Sequence, residues 1–431
     1  MTDRICVIHW KGPTMGSVDR LMLCWKTTQR GIVVVRRLIY PLLVGVVFVA
    51  GCHNRSSYKS NRGDPEVDAA GTRDTDVVTD EGRPPADATN TTDDVDPPPA
   101  DVAGADVPPP PPGSLSEQYP GDEGIASDPA VLFHDDFEMG WGQWDRPTSD
   151  TNYLTMQSDA ALAHTGSGYL RSTVTMQDLE NDQYISSSAG VGFDRVEEVF
   201  WRFYARMPNV APNPHHWVRV SAGDATWESS GLANTVPPGD RGFWFDFDID
   251  NDDVFNFYVY WHEMRSGRCN DGSATPGCAG DQGTTYYYGN VFRPPDQTPY
   301  PRDEWFCIEM RARANSIGQN DGELTFWIDD QLVGDYRQGY PDGTWLRATF
   351  HTGGCEFSAC TDPVPFEGFN FRTSDEVGFK AVILDAYYQR DTAAQKRQVL
   401  EDRGRTVSDE QTILYDDLVV ATRRIGCRVP D

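Results

Sequence analysis

Lysine is nearly missing from the larger part of this chain: beyond residue 130 only Lys380 and Lys396 occur. From residue 131 on, 25 basic residues face 47 acidic ones, 25 − 47 = −22, within a chain of 431 residues and net charge −29. That deficit speaks against nucleic acid as a partner, because such binding rests on basic contacts to phosphate. It weighs less heavily against a polyanionic glycan, since a local basic groove can persist. Long apolar runs are scarce as well. The one near the N-terminus, IYPLLVGVVFVAGC, ends at Cys52 and is shorter than the roughly 18 residues of a spanning helix. No Gly-x-Ser-x-Gly elbow or phosphate-binding glycine loop occurs, so neither nucleophilic-serine nor nucleotide chemistry finds support. No cysteine pair has zinc-site spacing with histidine.

What the N-terminus does have is Arg30, Arg36 and Arg37 ahead of that apolar run, then small residues. This is the order of a secretory signal. Val49-Ala50-Gly51-Cys52 resembles a bacterial lipobox. The resemblance implies cleavage before Cys52, lipidation of that cysteine, and an exported lipoprotein, with the outer membrane or cell surface as the expected location. Met15 or Met22 is an alternative start. Residues 52–128 are rich in Pro, Asp and Ala and poor in large apolar residues, so they read as a disordered tether. Residues 129–431 then form one domain. Six cysteines remain there, an even number that suits an oxidising compartment. Fifteen pairings are open. Nearness favours Cys269–Cys278 and Cys355–Cys360, leaving Cys307 with Cys427.

Period-two alternation recurs through this domain, broken by Gly, Pro, Asn and Asp. Strands are expected at 198–208, 216–223, 243–249, 255–261, 305–314, 323–333, 344–352, 379–389 and 413–422, with one inserted helix at 392–404. The pattern predicts an all-β fold, a two-sheet antiparallel jelly-roll sandwich. In FWFDFDIDNDDVFNFYVYWHE the phenylalanines must share one face, since a one-residue slip would expose them. A three-residue connection, 251–253, then sets Asp248 opposite Asn256, Asp246 opposite Tyr258 and Trp244 opposite Tyr260, with His262 opposite Gly242. The same parity turns Arg202 and Tyr204 away from the core. It sets His215, Trp217 and Arg219 in one row and His216 in the other. In 379–389 the parity is ambiguous, with Asp385, Tyr387 and Gln389 the better outward set.

The block WFCIEMRARANSIGQNDGELTFWIDDQLVGDY (305–336), FHDDFEMGWGQW near the start and ILYDDLVVATRRIGC at the end resemble the concanavalin A-like lectin/glucanase superfamily, and within it bacterial polysaccharide lyase-like sandwiches. The resemblance implies a sheet face that carries a sugar chain. Trp and Tyr rings stack on sugars while polar side chains bond their hydroxyls. Candidate substrate-binding residues are therefore Trp244, Asp246, Asp248, Asn256, Arg202, Tyr204, His216 and Gln389. For β-elimination of a uronate polysaccharide, Tyr258, Tyr260, His262 and Tyr387 are candidate bases and acids, with Arg219 to neutralise the carboxylate. Two other readings stand beside it: a lectin without chemistry, and a hydrolase using Asp246, Asp248 or Asp250. No cofactor is required; a structural Ca2+ at Asp136, Glu138 and Asp417, or along Asp248-x-Asp250-x-Asp252, is a candidate. The expected partner is polysaccharide, the membrane contact only the lipid, and the state a monomer.

Overall fold

The computed structural model describes residues 113–145, 152–223, 233–250, 253–295 and 299–429, together with two strands near the N-terminus. Those two, Arg4–His9 and Leu21–Lys26, pair antiparallel as a unit of their own. Apart from these two strands, the expected signal segment lies outside the described residues, as do Cys52 and the tether up to 112. Among the described residues no helix is long and apolar enough to cross a membrane.

Two sheets face each other across one aromatic core. The first has nine strands in the order Val364–Pro365, Asp342–Leu346, Thr349–Thr352, Asn290–Arg293, Phe255–Tyr260, Gly242–Ile249, Val218–Gly223, Gly378–Gln389 and Tyr184–Val196. The second runs Gln331–Tyr336, Glu323–Ile328, Phe306–Arg313, Glu198–Arg206, Glu410–Ala421, Gly168–Thr175 and Leu154–Ser158, with Val131–Asp135 also paired to Glu410–Ala421. This is the expected jelly-roll sandwich, with one departure. Asn290–Arg293 runs parallel to Thr349–Thr352, so the first sheet is mixed.

The hairpin register follows the argument from face sharing. Asp248 pairs with Asn256, Asp246 with Tyr258 and Trp244 with Tyr260. The opposite rows, Phe243, Phe245, Phe247 and Ile249 with Phe255, Phe257 and Val259, are buried in the core. Burying a phenylalanine contributes about 1.5–3 kcal/mol, so a register slip that exposed several would exceed the stability of an ordinary domain. The expected helix occupies Arg390–Asp402. All three expected disulfides are present: Cys269–Cys278, Cys307–Cys427 and Cys355–Cys360.

Two expected elements change. Residues 344–352 are two strands rather than one, because Arg347 takes a left-handed φ of 55° and reverses the chain. Residues 113–128, expected as part of the tether, are folded. They lie on the outer face of the second sheet, where Leu115 and Ile125 are fully buried with Phe200, Val419, Ala421 and Ile425. A Ser114 capping box starts a short turn of helix at Leu115–Gln118, and Asp122 ion-pairs with Arg202. Few apolar residues are needed to hold the segment, since it adds to a sheet already formed.

Candidate functional site

The outer face of the nine-stranded sheet carries the polar rows. Strand pairing puts Arg219 beside Asp246 and Ser221 beside Trp244, so Val218–Gly223 extends the rows of the central hairpin. Gly378–Gln389 adds Asp385 and Tyr387, resolving the ambiguous parity, while Val382, Leu384, Ala386 and Tyr388 are buried on the other side. The alternation breaks between Trp217 and Val218. Trp217 turns into the core, donating from its indole to the Tyr415 hydroxyl at 2.7 Å, and His216 turns to the outer face instead. His216 thus shares a face with Arg219, contrary to strict alternation, because the regular strand starts only at Val218.

Much of this face is covered. Trp244, Tyr258 and Tyr260 are each buried, as are Asp246, Asp248 and Asn256. Trp244 and Tyr260 stack on each other, ring centroids 4.3 Å apart and 7° from parallel. The backbone at Gly289 approaches the Tyr258 ring so closely that a Cβ there would meet it at 2.4 Å. The expectation of Trp244, Tyr258 and Tyr260 as an open sugar platform is therefore corrected: their rings are packed within the protein.

Other candidates leave the face altogether. Arg202 lies on the second sheet, fully buried and paired to Asp122. Tyr204 belongs there too, stacked on His164 at 3.7 Å, its hydroxyl accepting from the Arg428 amide and its pKa pushed up to about 12 by burial. Both are in a strand of the opposite layer, which the local sequence cannot reveal. Gln389 is buried at the start of the helix, accepting from the Thr392 hydroxyl. His262 sits past the end of its strand, near the Phe371 carbonyl and Glu263, with no contact to the His216 cluster. Asp136, Glu138 and Asp417 form no ligand group. Glu138 accepts from Ser167 and from the Gly168 amide, while Asp417 accepts from Thr165 and contacts His164. Asp250 faces Arg293 at 3.4 Å, and Asp252 lies outside the described residues.

What remains accessible is the other end of the face, toward the edge strand Tyr184–Val196. Tyr184 is 39% exposed, and Tyr387 and His216 are partly exposed. The three rings form a ladder: Tyr184 and Tyr387 stack at 6.3 Å, Tyr387 and His216 at 5.8 Å, within 12° of parallel. Beneath the ladder lies a charged layer. Arg219 donates to both oxygens of Asp246, at 2.5 and 2.9 Å. His216 Nδ1 lies 3.0 Å from Asp248 Oδ2, while Asp248 Oδ1 accepts from the Trp217 amide at 2.8 Å. Asp385 accepts from Ser186, and burial pushes its pKa up to about 6 despite nearby Arg219. Asp246 holds the Arg219 guanidinium firmly charged against its desolvation. A carboxylate on one imidazole nitrogen fixes the tautomer and leaves the other nitrogen basic. The arrangement can therefore move a proton at His216 Nε2, with the Tyr387 ring stacked beside the imidazole. A separate cavity of ≈ 450 Å³, lined by Arg265, Asp271, Thr344, Trp345 and Thr361 among others, includes none of the candidate binding or catalytic residues.

No protein-family model matches the chain, and no curated protein matches it. Similar solved structures include an endo-β-1,4-glucuronan lyase from the fungus Trichoderma reesei, 15% identical over 68% of this chain and 96% of that one, TM-score 0.38. An alginate lyase from Aplysia kurodai is 11% identical over 68% and 97%, TM-score 0.40. The alginate lyase Aly36B is 13% identical over 70% and 99%, TM-score 0.35. The similarity is one of fold and assigns no side chain a role.

Proposed function

We propose that the exposed end of this face binds a polysaccharide and cleaves it by β-elimination next to a uronate. The observation that carries the reading is the Asp248–His216 pair set into the ring ladder Tyr184–Tyr387–His216. A sugar chain lies across the ladder with its C–H faces on the tyrosines. His216 Nε2 takes the proton at C5, Asp248 balances the imidazolium that forms, and Tyr387 donates a proton to the departing O4. The C4–O bond breaks and a C4–C5 double bond forms. Arg219, oriented by Asp246 through its Nε and Nη2, contributes positive charge beneath the site. The acidic surroundings then favour substrates whose carboxylates are spaced or partly esterified over a dense polyanion.

Export by a lipid on Cys52, a tether and a location at the bacterial surface remain part of this proposal, on the strength of the N-terminal sequence. The test is turnover by His216→Ala and Tyr387→Phe variants against uronate polysaccharides, read as new absorbance of the unsaturated product. Activity retained in both would overturn the assignment.

A further inference from the structure

We infer that His216, Asp246 and Asp248 form a binding site for a divalent transition-metal ion of the Zn2+ class. Among the described residues these three make up the one group whose ligand atoms all lie within 4.8 Å of one another. His216 Nδ1 is 3.0 Å from Asp248 Oδ2 and 3.7 Å from Asp246 Oδ2. Tetrahedral ligands at the Zn–N and Zn–O lengths of about 2.0–2.1 Å stand about 3.3 Å apart, between those two values. Little movement is needed to admit the ion.

Two independent features support a built site. Each carboxylate is already held from behind. The Trp217 amide grips Asp248 Oδ1 and leaves Oδ2 toward His216, and the Arg219 fork fixes both oxygens of Asp246, so that Oδ2 has one lone pair left for the ion. Such outer contacts are what aim metal ligands. The charge is also concentrated. Three buried carboxylates, Asp246, Asp248 and Asp385, lie close to one another, with Arg219 bonded to Asp246 and His216 to Asp248, and a cation eases the cost of burying them. An imidazole in the set selects against Ca2+ and Mg2+, which prefer oxygen alone. The ion enters from the His216 side, where the side chain is 13% exposed.

Binding at Nδ1 requires the other tautomer of neutral His216, so its single ring proton moves from Nδ1 to Nε2. That nitrogen has no lone pair left to accept a proton. The loaded protein is thus switched off as a β-eliminating enzyme. The binding claim stands apart from the proposed activity; only this inhibition rests on it.

The experiment is isothermal titration of the chelator-stripped full chain with Zn2+, with Co2+ absorbance alongside. One site per chain with tetrahedral-type Co2+ bands is expected. Affinity should fall about 10–100-fold or more in His216→Ala and in Asp248→Asn, the second keeping an oxygen for the Trp217 amide. Equal affinity in wild type and both variants, or no binding by wild type, would overturn the site. Should His216→Ala misfold by circular dichroism, Asp248→Asn decides alone. Zn2+ binding without loss of turnover would overturn the switch and leave the site standing.

Discussion

At the scale of single residues, the distinction that matters is between rings that are packed and rings that are offered. Trp244 lies in the row expected to carry sugar, yet it is 4% exposed and stacked on Tyr260. Trp244→Ala is accordingly expected to cost about 3–5 kcal/mol in urea unfolding, as a buried aromatic does. Once corrected for folded fraction, glycan affinity should be unchanged. His216→Ala and Tyr387→Phe are expected to behave in the opposite way. Turnover should fall about 10²–10⁴-fold because each would move a proton in the reaction, and Tyr387→Phe should do so with little loss of stability. Steady-state rates and melting temperatures on the same preparations separate the two kinds. The types of residue on this face were legible from alternation. Their exposure was not, since for Tyr258 it depends on the backbone at Gly289 lying against its ring. His216 was visible as a candidate, but the step at Trp217 that aims it was hidden by one-residue irregularity.

At the scale of elements, legibility followed the strength of the pattern. The central hairpin could be registered residue by residue because two unbroken apolar rows admit only one pairing. The stretch 344–352 could not be divided, because Arg347 and Ala348 carry none of the usual turn residues. Arg202 and Tyr204 were assigned to the correct side of their own strand but to the wrong layer, as parity says nothing about which sheet a strand joins. Disulfides offer a test here. Cys307–Cys427 spans 120 residues and Cys355–Cys360 only 5. By loop-closure entropy, losing the first should cost about 5 kcal/mol and the second about 2 kcal/mol. Chemical denaturation of the two Cys→Ser pairs should keep that order.

At the scale of the whole molecule, residues 113–128 belong to the folded unit. Asp122→Ala would leave the Arg202 guanidinium buried without its partner, and is expected to cost about 3–5 kcal/mol. A chain trimmed to residue 129 should lose at least as much, measured against one that starts at 113. The pH profile carries a second signature. Burial, with the Asp417 charge beside it, pushes Asp416 up to about 8, whereas an unfolded Asp titrates near 4. Its folded form holds the proton longer, so its contribution to stability is present below about pH 4 and is lost as pH rises through about 8. Between pH 5 and 8 the wild type should lose stability relative to Asp416→Asn, and above pH 8 the gap should stay constant.

The account as a whole turns on what the exposed end of the sheet does to a glycan. The direct measurement is ultraviolet absorbance during incubation of residues 113–431 with a panel of uronate polysaccharides, with a reducing-end assay in parallel. The expected result is absorbance rising together with reducing ends on at least one polymer, abolished by His216→Ala. Reducing ends without absorbance would contradict elimination and turn attention to Asp385 as the acid of a hydrolase. Silence in both assays with retention on immobilised glycan would contradict catalysis and make the ring ladder a binding surface alone.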